Sequence, residues 1–303
     1  MTFFPTPSPQ TFQSPQGAGA RMLSPRSKDG DFTLRERTPF EYLEHDVFSI
    51  TERRVMQLQD KVALITGAGS GIGQAMAILF SKEGARIVIA DKEPSNGEET
   101  LATIRQNQGE ALFIKGDVAN ANHVKQMVQA AVTKYNRLDI LVNNTGILLT
   151  GTVVDLDEND WNRLMAVNLT GVFLCSKYVI PLMIAQGGGV ILNIASTAGL
   201  GSGYHRAAYS ASKGGMIALT RSMALDHSAD GIRVNCLCPG PVDTPMLRRS
   251  TTPTGVDEIS KTNPLGRLAN PGEIASVALC LVSEAASYVT GAVWTVDGGE
   301  CLT

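Results

Sequence analysis

Histidine is scarce in this chain of 303 residues, and His45, His123, His205 and His227 stand far apart. No imidazole cluster exists from which a metal site would be built, and none is expected. Cysteine is no richer. Cys175, Cys236, Cys238, Cys280 and Cys301 are odd in number, and all but the last lie in apolar stretches. That pattern points to buried thiols in a reducing, cytoplasmic setting and not to a disulfide framework. Cys236 and Cys238 would share a face in a strand, but they lack the Cys-x-x-Cys spacing of a zinc site. Blocks of like charge are also missing. With 26 basic and 29 acidic residues the net charge is −3, so neither a nucleic-acid backbone nor an anionic membrane is a natural partner. No uninterrupted apolar run is long enough to span a bilayer, and no secretory signal core is present. These absences leave small-molecule chemistry in a soluble chain, 43% hydrophobic and 18% charged, with material for a large core.

Residues 1–55 hold six of the fourteen prolines and many Ser, Thr and Gln, and they read as a disordered extension. Arg21, Arg26 and Lys28 precede any acid, as in a transit peptide, but the prolines oppose the helix such peptides form. The folded unit is expected to be 56–303, with the extension unnecessary for folding and catalysis.

At Lys61 the character changes. Val62-Ala63-Leu64-Ile65 suits a strand buried on both faces, and Thr66-Gly67-Ala68-Gly69-Ser70-Gly71-Ile72-Gly73 leads from it into a helix. Strand, glycine loop and helix make a phosphate cradle: the glycines allow close backbone approach, and the helix start offers free N–H groups to a pyrophosphate. A second strand, Arg86 to Ala90, ends at Asp91, where a carboxylate can bind both hydroxyls of an adenosine ribose. Strands and helices then alternate: Ala111 to Lys115, Val124 to Tyr135, Leu138 to Val142, Trp161 to Met183, Val190 to Ile194, a helix through Tyr209, Ile232 to Cys238, Ile274 to Val282 and Val293 to Val296. Such alternation implies an α/β fold, a doubly wound parallel sheet of Rossmann type in one domain. Ligands bind beyond the carboxyl ends of such strands, where Asp117, Asn143-Asn144, Ser196 and Pro239-Gly240 collect.

Tyr209 and Lys213 fall four residues apart and therefore on one helix face. A fixed ammonium beside a phenol favours the phenolate, so Tyr209 is a candidate general acid and base near neutral pH.

From Met56 onward the chain resembles the short-chain dehydrogenases and reductases. Thr66-Gly67-x-x-x-Gly71-Ile72-Gly73 is similar to that family's nucleotide loop, Asp117-Val118 to its adenine contact, and Asn143-Asn144-Thr145-Gly146 to its Asn-Asn-Ala-Gly strand end. Asn168, Ser196, Tyr209 and Lys213 match its catalytic tetrad, and Pro239-Gly240-Pro241-Val242-Asp243-Thr244 its nicotinamide-side loop. Thr145 replaces the usual Ala and would crowd the cofactor; Ala195 stands where a Ser is common. The resemblance implies that NAD is held by Gly67, Ser70, Gly71, Ile72, Gly73, Asp91, Asp117, Val118, Asn144, Gly146, Tyr209, Lys213, Pro239, Gly240, Val242 and Thr244. It implies that Ser196 bonds the substrate oxygen, Tyr209 exchanges the proton, Lys213 lowers the phenol pKa and holds the nicotinamide ribose, and Asn168 binds a proton-relaying water. A homotetramer or homodimer is implied as well.

Gly214-Gly215 costs helix stability, so close packing of another backbone is expected there. The run from Pro241 to Asn263 lacks clear periodicity and reads as a lid. Leu148, Leu149, Thr197, Tyr204, His205, Met246 and Leu247 are the candidate substrate contacts, mostly apolar. The leading expectation is an oxidoreductase moving a hydride between NAD(H) and a secondary alcohol or ketone. Its rivals are a 3-oxoacyl-carrier-protein reductase, for which a basic docking patch beside the lid would speak, with Arg248 and Arg249 as its hint, and a nucleotide-sensing protein without catalysis.

Overall fold

The computed structural model describes residues 56–302; the expectation for residues 1–55 lies outside the described residues. Strand β1 (Val62–Thr66) is buried along its whole length and lies inside a seven-stranded, all-parallel sheet, with a strand paired on either side. The other strands are β2 (Arg86–Asp91), β3 (Ala111–Lys115), β4 (Ile140–Asn143), β5 (Gly189–Ile194), β6 (Ile232–Pro239) and β7 (Val293–Val296), in the order β3-β2-β1-β4-β5-β6-β7. The doubly wound expectation is met. Successive side chains point to opposite faces, and the core divides accordingly. Ala63, Ile65, Ile87 and Ile89 join one apolar layer, while Val62, Leu64 and Val88 join the other.

Helices cover both layers. The first receives α1 (Gly71–Lys82) and α2 (Pro94–Gln106), and the second receives α3 (Ala121–Tyr135). The chain then runs through α4 (Glu158–Met165), a π-helical turn (Ala166–Thr170) and α5 (Gly171–Ala185), and α5 packs into the second layer through Cys175, Val179 and Met183. By length and composition Glu158–Ala185 could cross a membrane, but Asn168, Ser176 and Lys177 interrupt its apolar run and α5 serves here as a core helix. After α6 (Ala207–His227), α7 (Pro245–Ser250) and α8 (Pro253–Thr262), α9 (Pro271–Val282) returns to the first layer. Asn270 and Glu273 form the capping box at its start, with Pro271 at the first helical position.

Two elements differ from the sequence reading. Helix α2 was not anticipated, because PSNGEETLATIRQ is mostly polar and buries only Gly97, Thr100, Leu101 and Ile104. The stretch from Pro241 to Asn263 is not irregular. It holds α7 and α8, capped by Thr244 and Thr252, and is too short in each helix to show a period.

Sheet order reverses between β1 and β4, which makes their carboxyl ends the topological switch point. Thr66 locks that point. Its Oγ1 donates to the Val142 carbonyl at 3.3 Å and accepts from the Asn144 and Thr145 N–H groups at 3.0 and 3.1 Å. The Asn144 amide returns the tie by donating to the Thr66 and Gly67 carbonyls at 2.9 and 3.2 Å.

Candidate active site

A cleft of about 740 Å³ opens at the switch point. Its cofactor end is built from backbone. Gly67 and Gly71 turn with φ of +64° and +56°, a region in which a side chain would be strained. A Cβ on Gly73 would stand 2.2 Å from the Gly67 carbonyl oxygen, and one on Gly69 would stand 2.8 Å from Asp91 Oδ2. Ser70 caps α1 by position but makes no side-chain bond to it, so the helix start faces the cleft with free donors. The Asp91 carboxylate lies at the far lip, fixed by the Gly69 and Glu93 N–H groups at 2.9 and 3.0 Å. Asp117 Oδ1 accepts from the Ala119 N–H at 2.9 Å, beside the buried Val118. Glycine cradle, uncapped helix start and lip carboxylate together fit the pyrophosphate and adenosine ribose of a nicotinamide dinucleotide.

On the opposite wall the Pro239-Gly240 corner follows β6, with the Gly240 N–H bonded to the Val296 carbonyl at 3.1 Å. Thr244 caps α7 through its Oγ1. A Cβ on Gly71 would meet Thr244 Cγ2 at 3.2 Å, so the two loops close on each other. Of the expected catalytic and cofactor-binding residues, all line the cleft except Gly73 and Asn168. Gly73 is packed beneath the loop it permits. Asn168 is fully buried behind the wall, in the π-helical turn; such turns recur at functional sites. It accepts from the Ile147 N–H at 2.8 Å and donates to the Ile147 carbonyl at 2.9 Å and to Ser212 Oγ at 3.2 Å. Ser212 Oγ in turn donates to the Tyr209 carbonyl at 2.8 Å. Asn168 therefore ties the wall of the cleft to the first turn of α6.

Ser196 stands two residues past the end of β5 in extended conformation, caps the short turn Thr197–Gly199, and acts on the Tyr209 phenol. Lys213 is buried, with a relative exposure of 3%, and its Nζ donates to the Ile194 carbonyl at 2.8 Å and stands 5.7 Å from the Tyr209 ring centre. The electrostatics differ from the sequence expectation. Burial raises the Tyr209 pKa above its ordinary value, and Ser196 and Arg206, not Lys213, pull it back. Burial also pushes Lys213 down to about 8, since an enclosed ammonium loses hydration. Cys236 and Cys238 share a face of β6 behind it; their mutual hydrogen bond and burial raise the Cys238 thiol.

Among the candidate substrate contacts, Leu148, Leu149, Thr197, Met246 and Leu247 line the cleft. Tyr204 and His205 do not: Tyr204 is 96% exposed, and His205 turns outward with φ of +56°. Arg163, Arg206 and Glu300 also line the cleft and escaped the sequence reading. They come from α4, the start of α6 and the C-terminal turn, and no local motif joins them. Thr197 Oγ1 donates to Glu300 Oε2 at 3.0 Å.

A family model described as enoyl-(acyl carrier protein) reductase matches residues 67–300. Meso-2,3-butanediol dehydrogenase of Serratia marcescens is 39% identical over 80% of this chain and 96% of its own. The 3-oxoacyl-[acyl-carrier-protein] reductase FabG of Thermotoga maritima is 38% identical over 80% of this chain and 99% of its own. The crystal structure of levodione reductase superposes with a TM-score of 0.80 at 32% identity, covering 81% of this chain and 99% of that one. With the parallel sheet and the cleft at its switch point, these matches show that the chain is an oxidoreductase belonging to the short-chain dehydrogenases and reductases.

Proposed function

We propose that this protein interconverts a secondary alcohol and its ketone with NAD(H), using Tyr209 as general acid and base. The observation that carries the reading is the convergence of Ser196, Tyr209 and Lys213 on the cleft that holds the glycine cradle. A bound nicotinamide supplies the hydride chemistry there. The residues of the chain do the rest. Ser196 is placed to bond the substrate oxygen as its charge changes. Tyr209 lines the cleft and is poised to exchange a proton with the substrate oxygen. Lys213 holds positive charge near the phenol, and Asn168 keeps the Ile147 wall and the Tyr209 turn in register.

Preference for NAD over NADP is part of the proposal, supported by Asp91 at the lip of the cleft, because a carboxylate beside the adenosine ribose would repel a 2′-phosphate. A reductase of carrier-bound 3-oxoacyl chains shares the fold, but of the two arginines that hint at a docking patch Arg248 is spent on Asp243 at 2.6 and 2.7 Å and Arg249 lines the cleft. A homodimer or homotetramer is part of the proposal, supported by exposed Leu225, Tyr288 and Trp294. So is a cytoplasmic setting, supported by the buried free thiols.

The test is a spectrophotometric panel of secondary alcohols with NAD and NADP and of ketones with NADH and NADPH, run on the full chain. Turnover is expected, falling at least about 10²-fold in Tyr209→Phe with cofactor affinity retained. Near-normal turnover in that variant would remove Tyr209 from proton transfer. The kcat/KM ratio should favour NAD, and Asp91→Ala should narrow it; a preference for NADP would refute the role of Asp91.

A further inference from the structure

Arg163, Arg206 and Arg249 all line the cleft, yet among the described residues none of them pairs with a carboxylate. Outside the cleft, Arg86, Arg137, Arg248 and Arg267 each grip an acid, and Arg233 is satisfied by the carbonyls of Leu281, Ser283 and Val289. The two described arginines left there without an acid, Arg105 and Arg221, are exposed on the open surface, whereas Arg206 is half-buried in the cleft. The acid at the substrate end of the cleft, Glu300, receives the Thr197 hydroxyl.

Arg206 is the strongest of the three. It is half-buried and stands three residues before Tyr209, at the N-cap of α6. Its backbone is held by a parallel bridge to Gly151, and the Gly151 N–H donates to the His205 carbonyl at 2.8 Å. A Cβ on Gly203 would meet Arg206 Cδ at 3.2 Å, so the stem is confined as well. The position is a costly one for a cation. A helix start prefers Ser, Thr, Asp or Asn, and its dipole repels positive charge; α6 has no side-chain cap. A guanidinium kept there, close enough to act on the Tyr209 phenol, adds to the field of the free helix N–H groups. Local rules are broken in this way where function compensates.

We infer that the substrate carries a carboxylate, held by Arg206 beside the reacting carbon, with Arg163 and Arg249 adding to the positive wall. The substrate class is then a hydroxy acid and its oxo acid. A planar, half-buried guanidinium matches a carboxylate with two parallel hydrogen bonds, which a lysine or an amide cannot reproduce. The inference rests on the secondary-alcohol reading and narrows it.

The test uses the full chain loaded with NADH and titrated calorimetrically with cyclohexanecarboxylate, cyclohexanecarboxamide and inorganic phosphate. The carboxylate is expected to bind at least about tenfold more tightly than the amide, and Arg206→Gln to erase that gap while Arg206→Lys keeps part of it. In turnover, the kcat/KM ratio of 3-hydroxybutyrate to its methyl ester should fall at least about tenfold in Arg206→Gln. Equal binding of acid and amide, no binding of either, or phosphate binding more tightly than the acid would overturn the carboxylate assignment. The wild-type comparison decides this even where a variant fails to fold. Turnover confined to neutral diols overturns the carboxylate and leaves the oxidoreductase intact; carboxylate binding without turnover of any alcohol or ketone overturns the alcohol reading instead.

Discussion

The two halves of the cleft are made of different material. Around β1, α1 and β2 the working surface is backbone, shaped by glycines that exclude side chains and by the Thr66 and Asn144 cross-ties. Around β5, α6, α7 and the C-terminal turn it is side chain: Tyr209, Lys213, Arg206, Met246 and Glu300. A backbone surface accepts one cofactor and tolerates little change. A side-chain surface can be redrawn for a new substrate while the sheet beneath it stays the same.

That contrast is broken most severely at Gly73. An added methyl would lie 2.2 Å from the Gly67 carbonyl oxygen and 2.5 Å from Asn144 Nδ2, and neither atom can retreat without opening the link between β1 and β4. Gly73→Ala is expected to displace the loop on the order of 1 Å and to weaken NADH binding by about 10²-fold, read by fluorescence titration. Affinity within threefold of wild type would mean that the cradle is more compliant than its packing indicates.

The seam between the halves is Lys213, and there pH sharpens the contrast. Its pKa falls from 10.5 to about 8 on folding because it is enclosed. Between those values the unfolded chain binds more protons than the folded one, so this group makes stability rise with pH from about 8 to about 10.5; below that window its charge is a burden of about 3 kcal/mol. Lys213→Met is therefore expected to be inactive yet more stable than wild type by about 1–3 kcal/mol at pH 7, with the gap shrinking toward pH 10. The lost bond to the Ile194 carbonyl sets the lower figure. Urea denaturation at both pH values measures it, and a variant less stable at pH 7 would show that the ammonium is a structural anchor.

Legibility divides along the same line. The cradle could be read because its residues are consecutive and glycine has few other reasons to recur at that spacing. Asp91 and the Tyr209–Lys213 pair were legible through strand ends and helical period. Arg163, Arg206 and Glu300 were not, since they meet only after α4, α6 and the C-terminal turn are assembled. Tyr204 and His205 lie close to Tyr209 in sequence but not in the cleft, because the loop that carries them is exposed and turns at the positive φ of His205. Helix α2 was hidden by its polar composition. The phenol's raised pKa was invisible for another reason: spacing reports the neighbouring charge, but burial, which outweighs it, belongs to the fold.

The smallest effect is expected at Gly214, and it refines the expectation that the Gly214-Gly215 pair exists for close backbone packing. Close packing is present, but it is Gly199 that cannot bear a side chain: a Cβ there would stand 2.7 Å from the Lys213 carbonyl carbon and 2.9 Å from the Gly214 nitrogen. On Gly214 itself a Cβ would meet only the Gly199 carbonyl oxygen, at an ordinary 3.5 Å. The contact thus needs one glycine of the two that face each other. Glycine inside a helix costs about 1 kcal/mol relative to alanine, so Gly214→Ala should leave kcat/KM within about twofold and raise stability by about 0.5–1 kcal/mol. Gly199→Ala should instead push the turn after Ser196 away from α6, part Ser196 from Tyr209 and lower turnover. Thermal denaturation and kinetics of the two variants side by side decide the matter. If Gly214→Ala proves as damaging as Gly199→Ala, the approach of the turn to α6 is closer in solution than 3.5 Å allows, and both glycines belong to the catalytic frame.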